Sequence, residues 1–486
     1  GDNAAPKVVS DDWADGEYTH GLDSGYIKLR MRNDRNYSVT GVTIDGLITS
    51  VVNQRVAADG LYDVILNVQV NPEKPSYASS YKVTGVQYNN GSTTREVKQE
   101  YTTTNIEFWK EVATAADWVR INDNMGWNYK LTQDIDFSNS GVLPQGIILN
   151  GSTTSFDTST RFTGKLDGQE HIISGIRLQN LKTPFLIYRM EKGEVRNLLV
   201  ENMVISSARI NAYSYCGMVY FCNSGSVMEN VRLRNCQVAG GGYLGLLAGY
   251  AVQSRIQGCS AVDSVLTDVD TGKVLYAGGL VGYAATSLIQ DCYTRNVTMT
   301  LQSTVAVRAV GGLLGYQGSG ILRDSYSHGS ITVSGNYVGG LVGEVTNGDN
   351  APGMQNWSYV DIRQTSGNYA GGSHGRSRDE NRSVVLGNVA GSGPETARYS
   401  ALQFATLYEY NRLFYYDGQV VTGVAQGDKG TNTWLTPLSG AELRKPTTWQ
   451  DRVRLGSAWN YDVVSEGSAP LLLSDCSREG WQQQKV

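Results

Sequence analysis

Four histidines, two aligned aspartates and two columns of tyrosine are the residues here whose types and spacing could do chemistry. The histidines are His20, His171, His328 and His374. No two lie close in sequence, and none opens an H-E-x-x-H pattern, which sets two imidazoles on one helical face beside a general base. Zinc-peptidase chemistry of that kind has no residues to carry it. Asp291 and Asp324 occupy equivalent places one repeat apart, with Arg323 adjacent. Carboxylates in register could form an acid/base pair of a polysaccharide lyase or glycoside hydrolase, or hold Ca²⁺. Asn197, Asn230 and Asn356 fill the same column, which suits a recurring corner residue that hydrogen-bonds backbone. No other cofactor is implied. The many Gly-x-x-Gly stretches read as repeat corners, not as loops opening a phosphate-binding helix.

The tyrosines are the stronger binding candidates. Tyr243, Tyr276, Tyr337 and Tyr369 precede a recurring Gly by a constant offset, and Phe221, Tyr250, Tyr283 and Tyr316 follow it. Stacked tyrosines can offer flat faces to sugar rings and hydroxyls to polar ligands. They can equally pack ring on ring as a structural ladder. Six cysteines occur: Cys216, Cys222, Cys236, Cys259, Cys292 and Cys476. None forms a C-x-x-C pair. Cys259 and Cys292 share a column, but in-register side chains rarely reach disulfide torsion, so free buried thiols are expected.

Internal repeats must position these residues. The motif reads Gly245-Leu246-Leu247-Ala248-Gly249-Tyr250, Gly278-Gly279-Leu280-Val281-Gly282-Tyr283, Gly311-Gly312-Leu313-Leu314-Gly315-Tyr316 and Gly339-Gly340-Leu341-Val342-Gly343-Glu344. Weaker copies are Gly217-Met218-Val219-Tyr220 and Gly371-Gly372-Ser373-His374-Gly375. A second column runs in phase: Val195-Arg196-Asn197-Leu198, Met228-Glu229-Asn230-Val231, Ile256-Gln257-Gly258-Cys259, Ile289-Gln290-Asp291-Cys292, Leu322-Arg323-Asp324-Ser325 and Met354-Gln355-Asn356-Trp357. A unit of about 30 residues with several short strands cannot bury its own apolar face, whereas stacked copies fill one continuous core. A right-handed parallel β-helix follows. Leu280, with Leu246, Leu313 and Leu341 as its equivalents, should stack inward. Gly at fixed places should serve tight corners or positive φ, Gly258 should interrupt the corner column, and the stretches 262–273 and 346–353 should be loops.

The flanks differ. Period-2 runs at Tyr26–Met31, Tyr37–Ile44, Val64–Val70 and Tyr81–Tyr88, with a turn at Asn89-Asn90-Gly91 before Arg95–Lys98, predict an immunoglobulin-like sandwich over 1–104. Phe108 to Ile121 has helical spacing, so a capping helix is expected over 105–124, started by Thr104-Asn105. The solenoid should fill 125–400. Its end and cap should take 401–486, with Tyr408, Tyr410, Phe414, Tyr415, Tyr416, Trp434, Trp449 and Trp459 as core.

Composition excludes several classes. The 486 residues hold 56 Gly, 29 Tyr and 10 Pro, which suits an all-β chain rich in turns. With 41 basic against 46 acidic residues and no basic block, nucleic acid is not an expected partner. No run reaches the ~18 apolar residues of a membrane span. Gly1 reads as a residue left by tag removal, with a signal peptide cleaved upstream.

The Gly-Gly-Leu-Val-Gly-Tyr pattern resembles the GLUG repeat of IgA-peptidase-related surface proteins and of surface lipoproteins of gut commensal bacteria. Tyr129-Lys130-Leu131-Thr132-Gln133-Asp134-Ile135-Asp136-Phe137, Phe162 through Gly175, and Trp459-Asn460-Tyr461-Asp462 through Leu472 are similar to its flanking segments. The resemblance spans roughly residues 105–475. It implies a monomeric scaffold on the outer cell surface, held by a lipid anchor upstream, that binds a host or dietary glycan or a surface protein. A purely structural stalk is the remaining alternative.

Overall fold

The computed structural model describes residues 3–142, 144–150, 160–182, 184–207, 214–269, 273–302, 307–346, 353–377, 380–403, 412–423 and 435–475. Strands dominate at 57%: antiparallel sheets at the amino-terminal end and a parallel β-solenoid of about 7 turns. The chain divides into two compact units. One is Gly1–Val112 with Gly126–Thr132 and Gly164–Leu166, and the other is Ala113–Met125, Gln133–Thr163 and Asp167–Val486.

The first unit is a seven-stranded sandwich with an added parallel pair. Strands β1 (Lys7–Trp13), β2 (Ser24–Arg32), β3 (Ser38–Ile44), β4 (Leu47–Val56), β5 (Tyr62–Val70), β6 (Lys82–Asn89) and β7 (Thr94–Thr102) form sheets β1-β2-β5-β4 and β3-β6-β7. Both face one core, where Ile27, Leu29, Val64 and Leu66 meet Val42, Val83 and Val86. The predicted hairpin joins β6 to β7.

The unit extends past residue 104. Lys110–Val112 is strand β8, paired in parallel with β9 (Asn128–Leu131). The helix therefore begins later than expected, as α1 (Ala115–Arg120). Thr114 and Asp117 form its capping box, and this reciprocal pair outcompetes Thr104-Asn105 as the start. In the second unit Trp118 of α1 is fully buried, donates to the Ile147 carbonyl at 2.9 Å and meets the Phe137 ring edge-on.

A typical solenoid turn runs Val274–Gly278, Val281–Ala285, Ser287–Gln290 and Tyr293–Leu301, each strand pairing in parallel with its copy one turn on. Side chains alternate in and out, so the inner positions make one continuous core. Leu247, Leu280, Leu313 and Leu341 form the inward ladder. Their amides donate turn to turn at 2.9, 3.0 and 2.9 Å. Leu247, not Leu246, is the equivalent of Leu280.

The positive-φ corners belong to the second column: Asn197, Asn230, Gly258, Asp291 and Asp324 have φ of 54, 52, 63, 57 and 49°. Gly258 thus continues this corner. The repeat glycines serve close approach instead. A Cβ on Gly278 would lie 2.0 Å from the Val281 carbonyl oxygen, and one on Gly312 would lie 2.0 Å from that of Gly340.

Arg323 pairs with Met354, so the corner residue of that turn is Gln355, at φ 61°. Asn356 lies inside, accepting from the Ser325 amide at 3.0 Å and donating to the Leu322 carbonyl at 3.3 Å. The slip places Gly353 inward opposite Glu380, whose carboxylate reaches to 3.0 Å from the buried His374 ring.

The C-terminal segment runs back along the solenoid. Phe414, Trp449 and Trp459 are buried in one cluster with Tyr293, Tyr326 and Trp357, which belong to successive turns. Tyr408, Tyr410, Trp434 and Cys476 lie outside the described residues, as do 270–272 and 347–352 of the expected loops.

Candidate functional site: a tyrosine ladder

The repeat glycines bring the two tyrosine columns together. Across Gly278-Gly279 the chain turns so tightly that Tyr276 before the corner and Tyr283 after it have ring centroids 5.2 Å apart. Parallel register repeats this placement. Arg189, Phe221, Tyr250, Tyr283, Tyr316, Glu344 and Arg376 form one row across successive turns. Tyr215, Tyr243, Tyr276, Ala309, Tyr337, Tyr369 and Glu395 form the other.

The rings interlock. Phe221 stacks on Tyr250 at 4.9 Å, Tyr243 on Tyr283 at 5.1 Å and Tyr283 on Tyr316 at 4.3 Å. Tyr215 joins at 5.0 Å from Tyr243. Spacings of this size give aromatic contact along the whole run. Tyr215, Tyr243, Tyr250, Tyr283 and Tyr316 stay partly exposed, while Tyr276 is 9% exposed. The two expected roles therefore coincide: the rings support one another and keep an outer edge in solvent. Burial raises the phenol pKa of Tyr215, Tyr250, Tyr276 and Tyr283 above the usual value, so their hydroxyls remain donors at neutral pH.

Tyr337 and Tyr369 stand apart from this run. Ala309 interrupts their row, and the two stack on each other at 4.7 Å. Beside the gap, Glu344 takes the place of a tyrosine. It is 0% exposed and held by Arg308 through two contacts, 3.1 and 3.3 Å, and by Arg376 at 2.8 Å. The Arg308 side chain remains 50% exposed. Arg189 lies over the Phe221 ring at 5.3 Å, so the main run is flanked by cations at both ends.

No family model matches the chain, and no curated protein matches it. Solved structures do resemble it. One is described as a "putative immunoglobulin A1 protease from Bacteroides ovatus", 16% identical, with 75% of this chain and 92% of that one covered and a TM-score of 0.39. Another is described as "IgA1 Protease", 13% identical, with 96% of this chain and 34% of that one covered and a TM-score of 0.40. At these identities neither likeness carries an activity to this chain.

The four histidines do not converge. His20 stacks on Trp13 in the first unit. In the second, His171 meets Asp134 at 3.0 Å, His328 accepts from the Asn296 amide at 2.9 Å, and His374 is buried beside Glu380. Burial, with Arg295 nearby, pulls His328 down to about 4. Among the described residues no three His, Cys, Asp or Glu side chains gather as a metal site.

Asp291 and Asp324 lie one turn apart at successive corners, near the C-terminal segment. Burial raises both carboxyls. Asp291 is pushed up to about 6, with Ser474 and Arg232 opposing the shift and Asp324 and Asp475 adding to it. Asp475 itself binds Arg295 at 3.0 Å and the Tyr293 hydroxyl at 2.5 Å. Tyr293, Tyr326 and Trp357 form a second aromatic ladder, with centroids 4.8 and 4.3 Å apart, on which the C-terminal segment packs. Reading one residue beyond Cys292 and Ser325 would have revealed it.

The Asp291 shift yields a signed expectation. Its folded pKa lies above the unfolded value of about 4, so the stability it contributes is full below pH 4 and is lost as pH rises through 6. Asn fits this left-handed corner, as Asn197 and Asn230 show. Asp291→Asn should therefore stabilise the fold by about 2 kcal/mol at pH 7.5 and hardly at pH 3.5. Urea melts at both values check this, and an equal gain at both would refute the burial account.

The five described cysteines are free and buried. Burial pushes Cys216, Cys222 and Cys236 up to about 12, which leaves them inert as nucleophiles.

Proposed function

We propose that the chain is a non-catalytic cell-surface binding protein of the GLUG-repeat type, whose solenoid displays the tyrosine ladder to a host or dietary glycan. The carrying observation is the continuous run Tyr215, Phe221, Tyr243, Tyr250, Tyr276, Tyr283 and Tyr316, locked ring to ring with its edge in solvent. Such a run supplies apolar contact and hydroxyl donors without ordering flexible side chains, so little entropy is lost when a ligand binds. It extends over several turns, which favours a chain-like ligand over a single small molecule. The burial of Asp291 beside Arg232, Asp475 and Ser474, and of Asp324 beside Arg323 and Gln290, argues against their use as an acid/base pair on a polysaccharide. Attachment to the outer surface through a lipid anchor belongs to the same reading.

The test is a panel of immobilised host and plant glycans, read for both binding and product release. Saturable binding without released oligosaccharide is expected. Absence of binding at high micromolar concentration would sink the glycan assignment and leave a surface protein or a stalk. Released oligosaccharides would overturn the non-catalytic assignment.

A further inference from the structure

The first unit contains a cleft of about 580 Å³, lined by Trp13, His20, Gly21, Leu22, Thr104, Asn105, Glu107, Trp109 and Lys130. This volume lies within the range of small-molecule sites. Its walls are fixed. Trp13 stacks on His20 at 4.1 Å and meets the buried Phe108 at right angles. Trp109 is tied by its amide to the Leu22 carbonyl at 2.8 Å. Thr104 and Asn105 are held by their amides on the buried Asp11 carboxylate, each at 2.9 Å.

The cleft wall holds one carboxylate and one ammonium, Glu107 and Lys130, and they differ in partners. The Glu107 carboxylate is engaged by Lys165 at 2.9 Å. The Lys130 ammonium lies 4.5 Å from the Trp109 ring centroid, and among the described residues it has no carboxylate partner. The indole N–H groups of Trp13 and Trp109 and the His20 ring likewise make no hydrogen bond among those residues. Four side chains able to donate, one of them charged, therefore line the cleft with no acceptor assigned to them among the described residues.

We propose that this cleft binds a carboxylate-bearing sugar, the acidic residue of a uronic-acid-containing glycan. The carboxylate would pair with Lys130, and the pyranose C–H groups would lie against the indoles while its hydroxyls take the remaining donors. A phosphate ester is disfavoured, because the cleft has neither an arginine fork nor a run of backbone amides opening a helix. The site is independent of the tyrosine ladder.

The test is calorimetric titration of the full chain with digalacturonate and with its neutral counterpart digalactose. Digalacturonate should bind about tenfold more tightly. Lys130→Gln should remove that advantage, and Lys130→Arg should keep it to within about threefold. Arg255→Gln removes a half-exposed cation away from both the cleft and the ladder and should leave both affinities unchanged, which separates a site at Lys130 from a general loss of charge. Equal affinity for the two sugars, or a digalacturonate affinity indifferent to Lys130→Gln, would overturn the proposal. So would an equal loss of the digalacturonate advantage in Arg255→Gln and Lys130→Gln.

Discussion

Asp475→Ala is expected to release the C-terminal segment from the side of the solenoid, at a cost of about 3–5 kcal/mol. Asp475 and Arg295 form an ion pair whose side chains are 1% and 5% exposed. The same carboxylate accepts from the Tyr293 hydroxyl at 2.5 Å and lies 3.5 Å from that of Tyr326. Removing it leaves a guanidinium in a site with little water, and the cost is that of an uncompensated charge. The cheapest relief is to let water in by lifting the segment. Trp459 would then separate from Tyr326 and Trp357, and the hydrogen bond from the Trp357 indole to the Pro470 carbonyl, 3.0 Å, would break. Hydrogen exchange should show loss of protection over 455–475 and at Tyr293–Trp357, with the turns before Ser207 unchanged. Unaltered protection over 455–475 would show that the ion pair does not hold the segment.

Gly312→Ala is expected to destabilise the solenoid by roughly 3 kcal/mol or more. Its φ is ordinary, so backbone strain is not the cause. The added methyl would sit 2.0 Å from the Gly340 carbonyl oxygen and 3.1 Å from the Ser327 Cβ. The first contact is with the backbone of the next turn, and no rotamer change relieves it. The turns must part where Gly312 N donates to Gly339 O and Leu313 N to Leu341 O, at 3.2 and 2.9 Å. Gly318→Ala is the control. Its Cβ would meet the Ala285 Cβ at 3.3 Å, the Ala285 Cα at 3.5 Å and a Tyr316 ring carbon at 3.7 Å, none of them closer than 3.3 Å, and it should cost within about 1 kcal/mol. Urea melts of the two variants decide the point: similar losses would mean that general β-propensity, not close approach of turns, explains the repeat glycines.

The solenoid was legible because two columns repeated in phase, and each column proved to have one physical role. Leu280 and Leu313 face inward, while Asn197, Asn230, Asp291 and Asp324 take left-handed corners. The glycines were visible but their purpose was not. Close approach between turns leaves no mark in a single repeat that distinguishes it from a turn. The tyrosine columns were also legible as columns. That they interlock depends on the tightness of the Gly-Gly corner, and that they divide depends on Ala309, which no pattern search for aromatics would pick up. The slip at Gln355 reflects a trade. Met354 looks like Leu322 in sequence, but Glu380 needs the room that Gly353 leaves. The return of the C-terminal segment was not legible, because Asp475 meets Arg295 across about 180 residues of chain and no local rule reaches so far.

The most direct test of the binding account is to titrate the tightest-binding glycan against the chain and against a variant carrying Tyr250→Ser, Tyr283→Ser and Tyr316→Ser. These rings are partly exposed and point away from the core, so the thermal midpoint should fall only slightly while the ladder loses its central faces. The account predicts that affinity drops at least about a hundredfold, since each ring contributes on the order of 1 kcal/mol. Unchanged affinity in a folded variant would contradict it, and the ladder would then be a structural spine alone.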